Sequence, residues 1–383
     1  MGEGKWSSLM EGVFCHRGSI INGFADGLQH HWQNCLEGKS MLSPVVSPGE
    51  ENGYTHSLTE GKWNSLREKY GPAYTKCALL CLEALLDTGF KADEHPPSLI
   101  IIASTKGDID LLSVEDAQSR EAPFLLSNIG KQLSTYFQRQ LDIITLSNAC
   151  ISGNQAILLG ADYIKTGRYK QVYAVGVDLM SDFTFYGFKS FKAISSTPCK
   201  PFDIQRTGIS LGEGAACLRL GSEPQPFEGL QSIAFTTGAV TNDANHISGP
   251  SRDGEGLVRA IIKCLELADY TPEAISLHGT GTIFNDEMES IAMSRTGLDK
   301  VPAFGLKGIY GHTLGAAGIL ETNLSLMAMC ADAIPGTVGY ETSGTSIPLN
   351  LSGEKFDIHY NTLMKTTSGF GGGNCVLFFK KIG

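Results

Sequence analysis

The sequence predicts an α/β layered fold in two halves, and two observations support this prediction. Short apolar runs alternate with longer stretches of helical periodicity along the 383 residues, which is typical of helices packed on a sheet. A segment with two prolines, GSEPQPFEG at residues 221–229, separates two regions that both show this pattern. We therefore assign one half to residues 1–222 and the other to residues 223–383. The segment is too short for a free linker, so the halves are expected to share one core.

The predicted strands are short runs of uninterrupted apolar residues. They lie at residues 99–103, 143–146, 172–177 and 215–220 in the first half, and at 275–277, 303–306 and 376–379 in the second. Uninterrupted apolarity indicates strands that are covered on both faces. The longest predicted helices span residues 256–268 and 315–330. The Gly/Glu/Ser-rich stretch at residues 47–65 is expected to be a surface loop.

Composition and charge exclude several classes of function. The formal net charge is -10 and only 18% of the residues are charged, which argues against general attraction to nucleic acid or to an anionic membrane. No apolar run is long enough to span a bilayer, and the N-terminal sequence lacks the pattern of a signal peptide. The ten cysteines form no CxxC pair, as expected in a reducing compartment. We therefore expect a cytoplasmic protein.

One of these cysteines, Cys150, follows the predicted strand IITL and precedes the helical stretch ISGNQAILLGADYIKTG, which Gly167 ends. A thiol at the start of a helix feels unpaired N–H groups and the positive end of the helix dipole, and both favour the thiolate. The N–H of Cys150 can also point at a developing oxyanion. A buried structural cysteine is the alternative interpretation.

Two histidines in the second half favour the catalytic interpretation of Cys150. His278 opens the sequence HGTGT after an apolar strand, and His312 lies in the Gly-rich turn GLKGIYGHTLGAAG before a helix. A lone histidine is more often a hydrogen-bonded structural residue. Two such histidines together with a cysteine between strand and helix are better explained as a Cys-His-His site for nucleophilic catalysis.

Six segments, in this order along the chain, resemble the motifs of the β-ketoacyl synthases. They are GSIINGFADGLQHHWQNCLEGKS (18–40), SNAC (147–150), KPFDIQRTGISLGEGAA (200–216), HGTGTIFNDEMES (278–290), GLKGIYGHTLGAAG (305–318) and SGFGGGN (368–374). The resemblance spans nearly the whole chain. It implies the thiolase fold, in which two similar halves each contain a five-stranded mixed sheet in layers of the order α-β-α-β-α. It also implies a homodimer in most cases.

The resemblance further implies an acyltransferase that performs decarboxylative Claisen condensation. Cys150 would take the acyl group as a thioester, and His278 and His312 would bind the malonyl thioester carbonyl. Lys307 and Glu289 match the charged residues that hold the histidines. An enzyme of this kind needs oxyanion donors at two carbonyl oxygens, one for each thioester. No metal and no bound cofactor are expected, because the substrates are carried on the phosphopantetheine of acyl carrier protein.

The remaining site residues are assigned by the same resemblance to substrate and partner binding. Thr280 and Thr282 match residues that line the pantetheine arm, and Phe370 matches the aromatic residue that gates the acyl pocket, with Gly371 beside it. Arg206 aligns with a carrier-contacting arginine, and Arg67 and Lys69 are candidates for the same basic cluster. The chain's own acidity means that docking of an acidic carrier needs such a local cluster.

Departures from the family pattern leave the substrate open. They occur at residues 103–110 (ASTKGDID), at residues 151–153 after the cysteine, and at Ser368 and Gly373 beside the gate. In these departures and in its compact length, the chain resembles the stand-alone synthases of aryl-polyene or flexirubin-type pigment pathways. The alternative is a synthase of housekeeping fatty-acid elongation. A non-catalytic chain-length-determining partner subunit normally lacks the cysteine, so Cys150 argues against it. Phe370, in place of a second cysteine, disfavours a thiolase, and His312 disfavours an acetyl-CoA-priming synthase.

Overall fold

A computed structural model describes residues 12–23, 27–45, 53–112 and 124–382. The strands are β1 (Phe14–Ile21), β2 (Ser43–Pro44), β3 (Tyr54–His56), β4 (Leu99–Ala103), β5 (Asp142–Leu146), β6 (Gln171–Asp178), β7 (Leu211–Gly212), β8 (Gly214–Gly221), β9 (Pro226–Phe227), β10 (Gln231–Asn242), β11 (Ala274–Leu277), β12 (Ala303–Gly305), β13 (Ala333–Ile334), β14 (Phe356–Asp357), β15 (Thr362–Gly369) and β16 (Gly373–Lys381). The helices are α1 (Leu28–Leu36), α2 (Glu60–Tyr70), α3 (Lys76–Asp87), α4 (Leu126–Tyr136), α5 (Ser152–Lys165), α6 (Asp182–Ser190), α7 (Glu255–Ala268), α8 (Ile283–Arg295), α9 (Lys307–Tyr310) and α10 (Ala317–Cys330).

The main sheet repeats one topology twice. Its strand order is β12-β11-β15-β16-β10-β1-β8-β6-β4-β5, with β9 attached to β10. From β1 outward, the neighbours pair antiparallel, antiparallel, parallel and parallel. From β10 outward, the pairing is the same. Each set of five strands also has the same order along the chain, and the two sets join through an antiparallel contact of β1 with β10.

Helices divide the molecule into five layers. The central helices α5 and α10 contact each other and strands of both halves, whereas α3 covers the other face of the first five strands and α7 covers that of the second five. Residues 317–329 of α10 are buried on every side, as expected of a helix enclosed between two sheets. The observed order α-β-α-β-α and the chain's likeness to solved ketosynthases confirm the predicted fold class.

The predicted apolar runs all fall in strands, but one prediction about their burial is wrong. Strand β4 is buried along its whole length, whereas β5 is half-exposed. The reason is position, because β5 pairs only with β4 and forms an edge of the sheet. Strands β1, β10 and β15 were not predicted from apolar runs.

The loop predicted at residues 47–65 is also partly wrong. Residues 46–52 lie outside the described residues, as does the N-terminal segment 1–11. The remainder holds β3 and the start of α2, which Thr59 caps by accepting from the Lys62 N–H. Trp63 and Leu66 bury the inner face of this helix, so local capping and packing outweigh the polar composition. Within the described ranges no helix is both long and apolar enough to cross a bilayer.

Candidate active site

Cys150 lies at the turn that joins β5 to the central helix α5. The preceding residue, Ala149, has φ 46°, a left-handed conformation that costs a non-glycine residue about 1 kcal/mol. The Ser152 hydroxyl fastens the turn by donating to Ala149 O (2.6 Å) and accepting from Asn148 N (2.8 Å). The sequence-predicted position of Cys150 between strand and helix is therefore observed.

The backbone after β15 approaches this turn closely. A Cβ added at Gly369 would lie 3.0 Å from Cys150 N, so a larger residue there would have to push the two segments apart. The Phe370 N–H donates to the Cys150 sulfur. The backbone N–H groups of Cys150 and Phe370 are therefore the donors available beside the sulfur, and donors of this kind can stabilise a thioester oxyanion.

The helix start favours the thiolate of Cys150, but burial of the side chain has the larger effect. Burial raises the pKa of this thiol to about 11, although Lys307, the Phe370 N–H and Lys106 each lower it. Desolvation outweighs these favourable charges because the side chain is enclosed. Cys150 is therefore a thiol at neutral pH and must lose its proton during reaction.

His278 follows β11 and His312 follows β12, and both line one cavity with Cys150. Their ring centroids are 5.0 Å apart at an interplanar angle of 81°. The Leu314 N–H donates to His312 Nδ1 at 3.1 Å. Lys307 Nζ lies 3.1 Å from His278 Nδ1, and an ammonium can only donate there. Each neutral ring therefore carries its proton on Nε2.

Both histidines are held neutral by their surroundings. Burial lowers the pKa of His278 and of His312 well below the usual value, and the Lys307 and Lys365 cations lower both further. Among the described residues, His312 Nε2 has no hydrogen-bond partner. The pair therefore presents N–H donors to the cavity, which suits binding of a carbonyl oxygen.

A buried chain of charges holds His278 in place. Lys307 Nζ donates to the His278 carbonyl (2.6 Å) and to Glu321 Oε1 (2.5 Å). The second oxygen of Glu321 accepts from Lys365 Nζ at 2.6 Å. Glu321 and Lys365 were missed by the sequence analysis, although each is the single charge in an otherwise uncharged helix or strand, a signal that can identify a functional residue.

Glu289 fixes the backbone of the His278 turn and does not contact Lys307 in any hydrogen bond of the described residues. Its carboxylate accepts from the N–H groups of His278 (2.9 Å) and Gly279 (2.7 Å). Thr366 donates to it from β15 at 3.0 Å. Glu289 is fully buried, which excludes the solvated helix face that composition alone would suggest.

A second buried carboxylate, Asp178, joins the two catalytic turns and was also missed. It accepts from Gly315 N (2.6 Å) in the turn after His312. It also accepts from Thr105 N (3.0 Å) and from the Ser104 hydroxyl (3.1 Å). The carbonyl of Thr105 in turn accepts from Ser147 in the cysteine turn at 3.3 Å. The loop at residues 103–110 therefore supports the site from between its two turns.

The cavity has a volume of about 410 Å³. Thr280 and Thr282 line it, and their hydroxyls lie 2.9 Å apart. The Phe370 ring stacks on Phe188 at 5.3 Å and meets Phe191 edge-on at 5.6 Å. Phe284 also lines the cavity and is exposed. The cavity that contains Cys150 is thus lined by hydroxyls and by aromatic rings.

Two predicted binding residues are placed differently. Arg206 is 8% exposed and its guanidinium donates to the carbonyls of Asp203 (3.0 Å) and Gly344 (2.6 Å), so it is a structural arginine and not an exposed docking residue. Gly371 is not among the residues that line the cavity. Its N–H donates to Ile247 O at 2.7 Å, so it ties the gate loop to the neighbouring loop.

The described part of the chain contains no cluster of three or more His, Cys, Asp or Glu side chains that could hold a metal ion. The groups that meet at the cavity are a thiol, two imidazoles and backbone N–H donors.

Family profiles match the chain along most of its length. The N-terminal domain of β-ketoacyl synthases matches residues 21–225, and the C-terminal domain matches residues 234–341. Among curated proteins, nodulation protein E of Rhizobium leguminosarum bv. trifolii is 27% identical over 92% of this chain and 94% of its own length. The 3-oxoacyl-[acyl-carrier-protein] synthase 2 of Synechocystis sp. is 26% identical over 94% and 96% of the two chains.

Solved structures agree with the fold. A ketosynthase in complex with its chain length factor from Xenorhabdus doucetiae matches with a TM-score of 0.84, 24% identity and full coverage of both chains. A β-ketoacyl synthase from Burkholderia phymatum matches with a TM-score of 0.85 and 23% identity, over 98% of this chain and all of that one. With both domain profiles matched and a cysteine and two histidines around one cavity, the chain is a member of the β-ketoacyl synthase family.

Proposed function

We propose that Cys150 accepts an acyl group from a carrier thioester and passes it to a malonyl unit bound by His278 and His312. One observation carries the proposal: both imidazoles direct N–H donors into the cavity that also contains the thiol. If the proton of each ring were on Nδ1 instead, Nε2 would face the cavity as a base. The arrangement supports carbonyl activation beside a nucleophile.

In the first step the Cys150 sulfur attacks the acyl thioester carbonyl. The N–H groups of Cys150 and Phe370 stabilise the oxyanion. The bond from the acyl carbon to the pantetheine sulfur then breaks, and the thiol proton of Cys150 ends on the departing pantetheine thiol. No external base is consumed, which is consistent with a resting thiol of raised pKa.

In the second step the malonyl thioester oxygen accepts from Nε2–H of His278 and His312. The bond to the carboxylate breaks, carbon dioxide leaves, and its electron pair forms an enolate whose charge the two donors stabilise. The enolate carbon attacks the acyl-cysteine carbonyl. The C–S bond then breaks and releases a β-ketoacyl thioester and the Cys150 thiolate, which regains a proton from solvent.

The test is a condensation assay with an acyl carrier substrate and malonyl carrier protein. We expect carbon dioxide and a β-ketoacyl product from the wild type, and no β-ketoacyl product from Cys150→Ala. Cys330→Ala is the matched control, since Cys330 is partly buried and does not line the cavity. Absence of product from a folded wild type, with either substrate in excess, would favour the non-catalytic chain-length-determining subunit.

We infer that an acyl carrier protein delivers the substrate at the cavity entrance. Two relatives support this partner: one is named 3-oxoacyl-[acyl-carrier-protein] synthase 2, and one solved ketosynthase is in complex with an acyl carrier protein. With Arg206 buried, the docking cation has to be reassigned. Lys192 is exposed and lines the entrance beside the exposed ring of Phe191. An exposed cation next to an apolar surface suits an acidic carrier.

Reversing the charge of Lys192 tests this docking surface. Lys192→Glu should raise the Michaelis constant for the carrier-bound substrate several-fold, with a strong dependence on salt. The constant for a small thioester mimic should change little. Lys170→Glu, at an exposed lysine before β6, is the matched control. Equal effects on the carrier-bound and the small substrate would remove Lys192 from the docking surface.

We also propose a dimer formed through β5. This strand is an edge of the main sheet, and Ile143, Ile144 and Leu146 are each partly exposed. Edges of this kind pair readily with another chain. Light scattering of this chain alone should give twice its 41.1 kDa, and Thr145→Asp on the exposed side of β5 should give the monomer mass. A monomeric wild type would instead favour pairing with a related subunit.

For the acyl group we propose a conjugated, rigid chain, with a saturated chain as the alternative. The aromatic rings of Phe188, Phe191 and Phe370 give the cavity flat faces, and a rigid chain loses little conformational entropy on binding. A competition assay with equal amounts of both carrier substrates, matched in length, tests this choice. Elongation of the saturated chain at an equal or higher rate would contradict it.

A further inference from the structure

Lys365 is a buried lysine in the middle of β15. It is 0% exposed, and its neighbours in the strand are buried as well. Burying an ammonium is costly unless acceptors surround it. Here three oxygens do so: Glu321 Oε2 at 2.6 Å, Thr366 O at 3.0 Å and Leu277 O at 3.3 Å. A charge kept at this cost beside an active site requires an explanation.

The contact with Glu321 connects Lys365 to the site. Glu321 projects from α10, where it is 2% exposed, and its two oxygens each bind one lysine. Lys307 on the first oxygen also contacts the ring and the carbonyl of His278. One carboxylate therefore has its orientation fixed by two cations, and only one of these touches a histidine.

We propose that Lys365 is a positioning residue that holds Glu321 in the orientation that keeps the Lys307 ammonium on His278. The inference rests on the proposed function, since it assigns a task in malonyl activation. Lys365 does not contact the His278 ring itself; it acts through Glu321 and Lys307. Its positive charge has a second effect, because it opposes protonation of both histidines.

The sign of this electrostatic effect follows from the groups around Lys365. Burial lowers the pKa of Lys365 and Glu321 raises it. Removing the cation would take away one of the causes that lower the pKa of His278 and of His312, so both rings would protonate at higher pH. The charged and titratable groups that face Lys365 are Glu321 on α10, Lys307 on α9, Glu289 on α8, His278 after β11, His312 after α9 and Cys375 on β16.

The experiment measures malonyl-thioester decarboxylation against pH in a Cys150→Gln background, where the step uses the histidines and not the thiol. Adding Lys365→Met should lower the rate at both pH values, by about tenfold at pH 6 and by less at pH 8, because the acid limb of the pH profile moves to higher pH. Lys365→Gln can still donate to Glu321 but has no charge. The Lys365→Gln protein should therefore recover part of the rate at pH 8, but the acid limb of its pH profile should stay at the higher pH.

Lys165→Met is the matched control. Lys165 is half-buried and donates to Thr236 O at 3.0 Å, and it ends α5 about 20 Å from the Cys150 turn by helix geometry. The Lys165→Met protein should be less stable, but the acid limb of its pH profile should not move. An unmoved limb in folded Lys365→Met or Lys365→Gln, or an equal shift in Lys165→Met, overturns the inference alone. A Cys150→Gln protein that folds but does not decarboxylate overturns the proposed function and the inference together.

Discussion

The two turns that build the site occupy equivalent places in the two halves but carry different chemistry. In the first half, β5 leads directly through Cys150 into α5; in the second, β12 leads through the short helix α9 and His312 into α10. The direct route places a thiol at the start of a helix. The longer route inserts Lys307 before the histidine. The repeated topology therefore carries a thiol at one turn and, where α9 lengthens the connection, a lysine and an imidazole at the other.

The backbone differs between the two turns as well. Ala149 before Cys150 and Gly311 before His312 both have positive φ, 46° and 67°. The second is a glycine because a Cβ there would lie 2.8 Å from Leu211 O. At Ala149 the strain is tolerated, as is common where a backbone is held for function.

The largest expected difference is that the His312 turn affects condensation, whereas the Cys150 turn affects acylation. His312→Ala should lower condensation about 10³-fold, since it removes a donor at the enolate oxygen. Acylation of Cys150 should fall much less, because its oxyanion is bound by backbone N–H groups. Separate transacylation and condensation assays measure both. Equal losses in the two steps would show that the turns do not divide the chemistry.

Removing the inserted cation should affect both turns to a smaller extent. Lys307→Met takes away a charge that lowers the pKa of Cys150 and of both histidines. The thiol pKa should rise, so alkylation of Cys150 by iodoacetamide at pH 8 should slow about tenfold or more, while the histidine pKa values also rise. Lys300→Met, at an exposed lysine, is the control. An unchanged alkylation rate would separate Lys307 from the cysteine.

The carboxylate between the turns should have an intermediate effect on both. Asp178→Asn keeps the size of the side chain but weakens the bonds from Gly315 N and Thr105 N. We expect about tenfold losses in acylation and in malonyl decarboxylation alike, because charge-assisted bonds to a buried carboxylate are worth about 1.5–3 kcal/mol. A loss confined to one step would show that Asp178 supports one turn only.

The smallest expected effects concern the backbone. Ala149→Gly should change the free energy of unfolding by no more than about 1 kcal/mol, because the relief of a positive φ is opposed by greater freedom of the unfolded chain. Gly311→Ala should destabilise by about 2 kcal/mol or more, since it adds both a strained φ and a contact with Leu211. Denaturant unfolding measures both. Equal changes would contradict the difference drawn between the turns.

Much of the site was predictable because motif residues occur at turns between apolar runs. Cys150, His278 and His312 were found from that pattern. The duplicated topology was implied by the family resemblance, but the apolar runs alone did not predict it, because β1 and β10 begin the two sets of strands without an uninterrupted apolar run. The buried charges Asp178, Glu321 and Lys365 were missed because burial of a charge depends on partners from distant elements. The burial of Arg206 was not foreseen for the same reason, since the Gly344 carbonyl that accepts from it is remote in sequence.

Acylation of Cys150 tests most directly the central claim that this residue is the nucleophile. The protein is incubated with an acyl carrier substrate in the absence of malonyl substrate, and its intact mass is measured. The wild type and Cys330→Ala should each gain one acyl group, and Cys150→Ala should gain none. An acyl adduct that persists in folded Cys150→Ala would contradict the account, because the nucleophile would then lie outside the turn between β5 and α5.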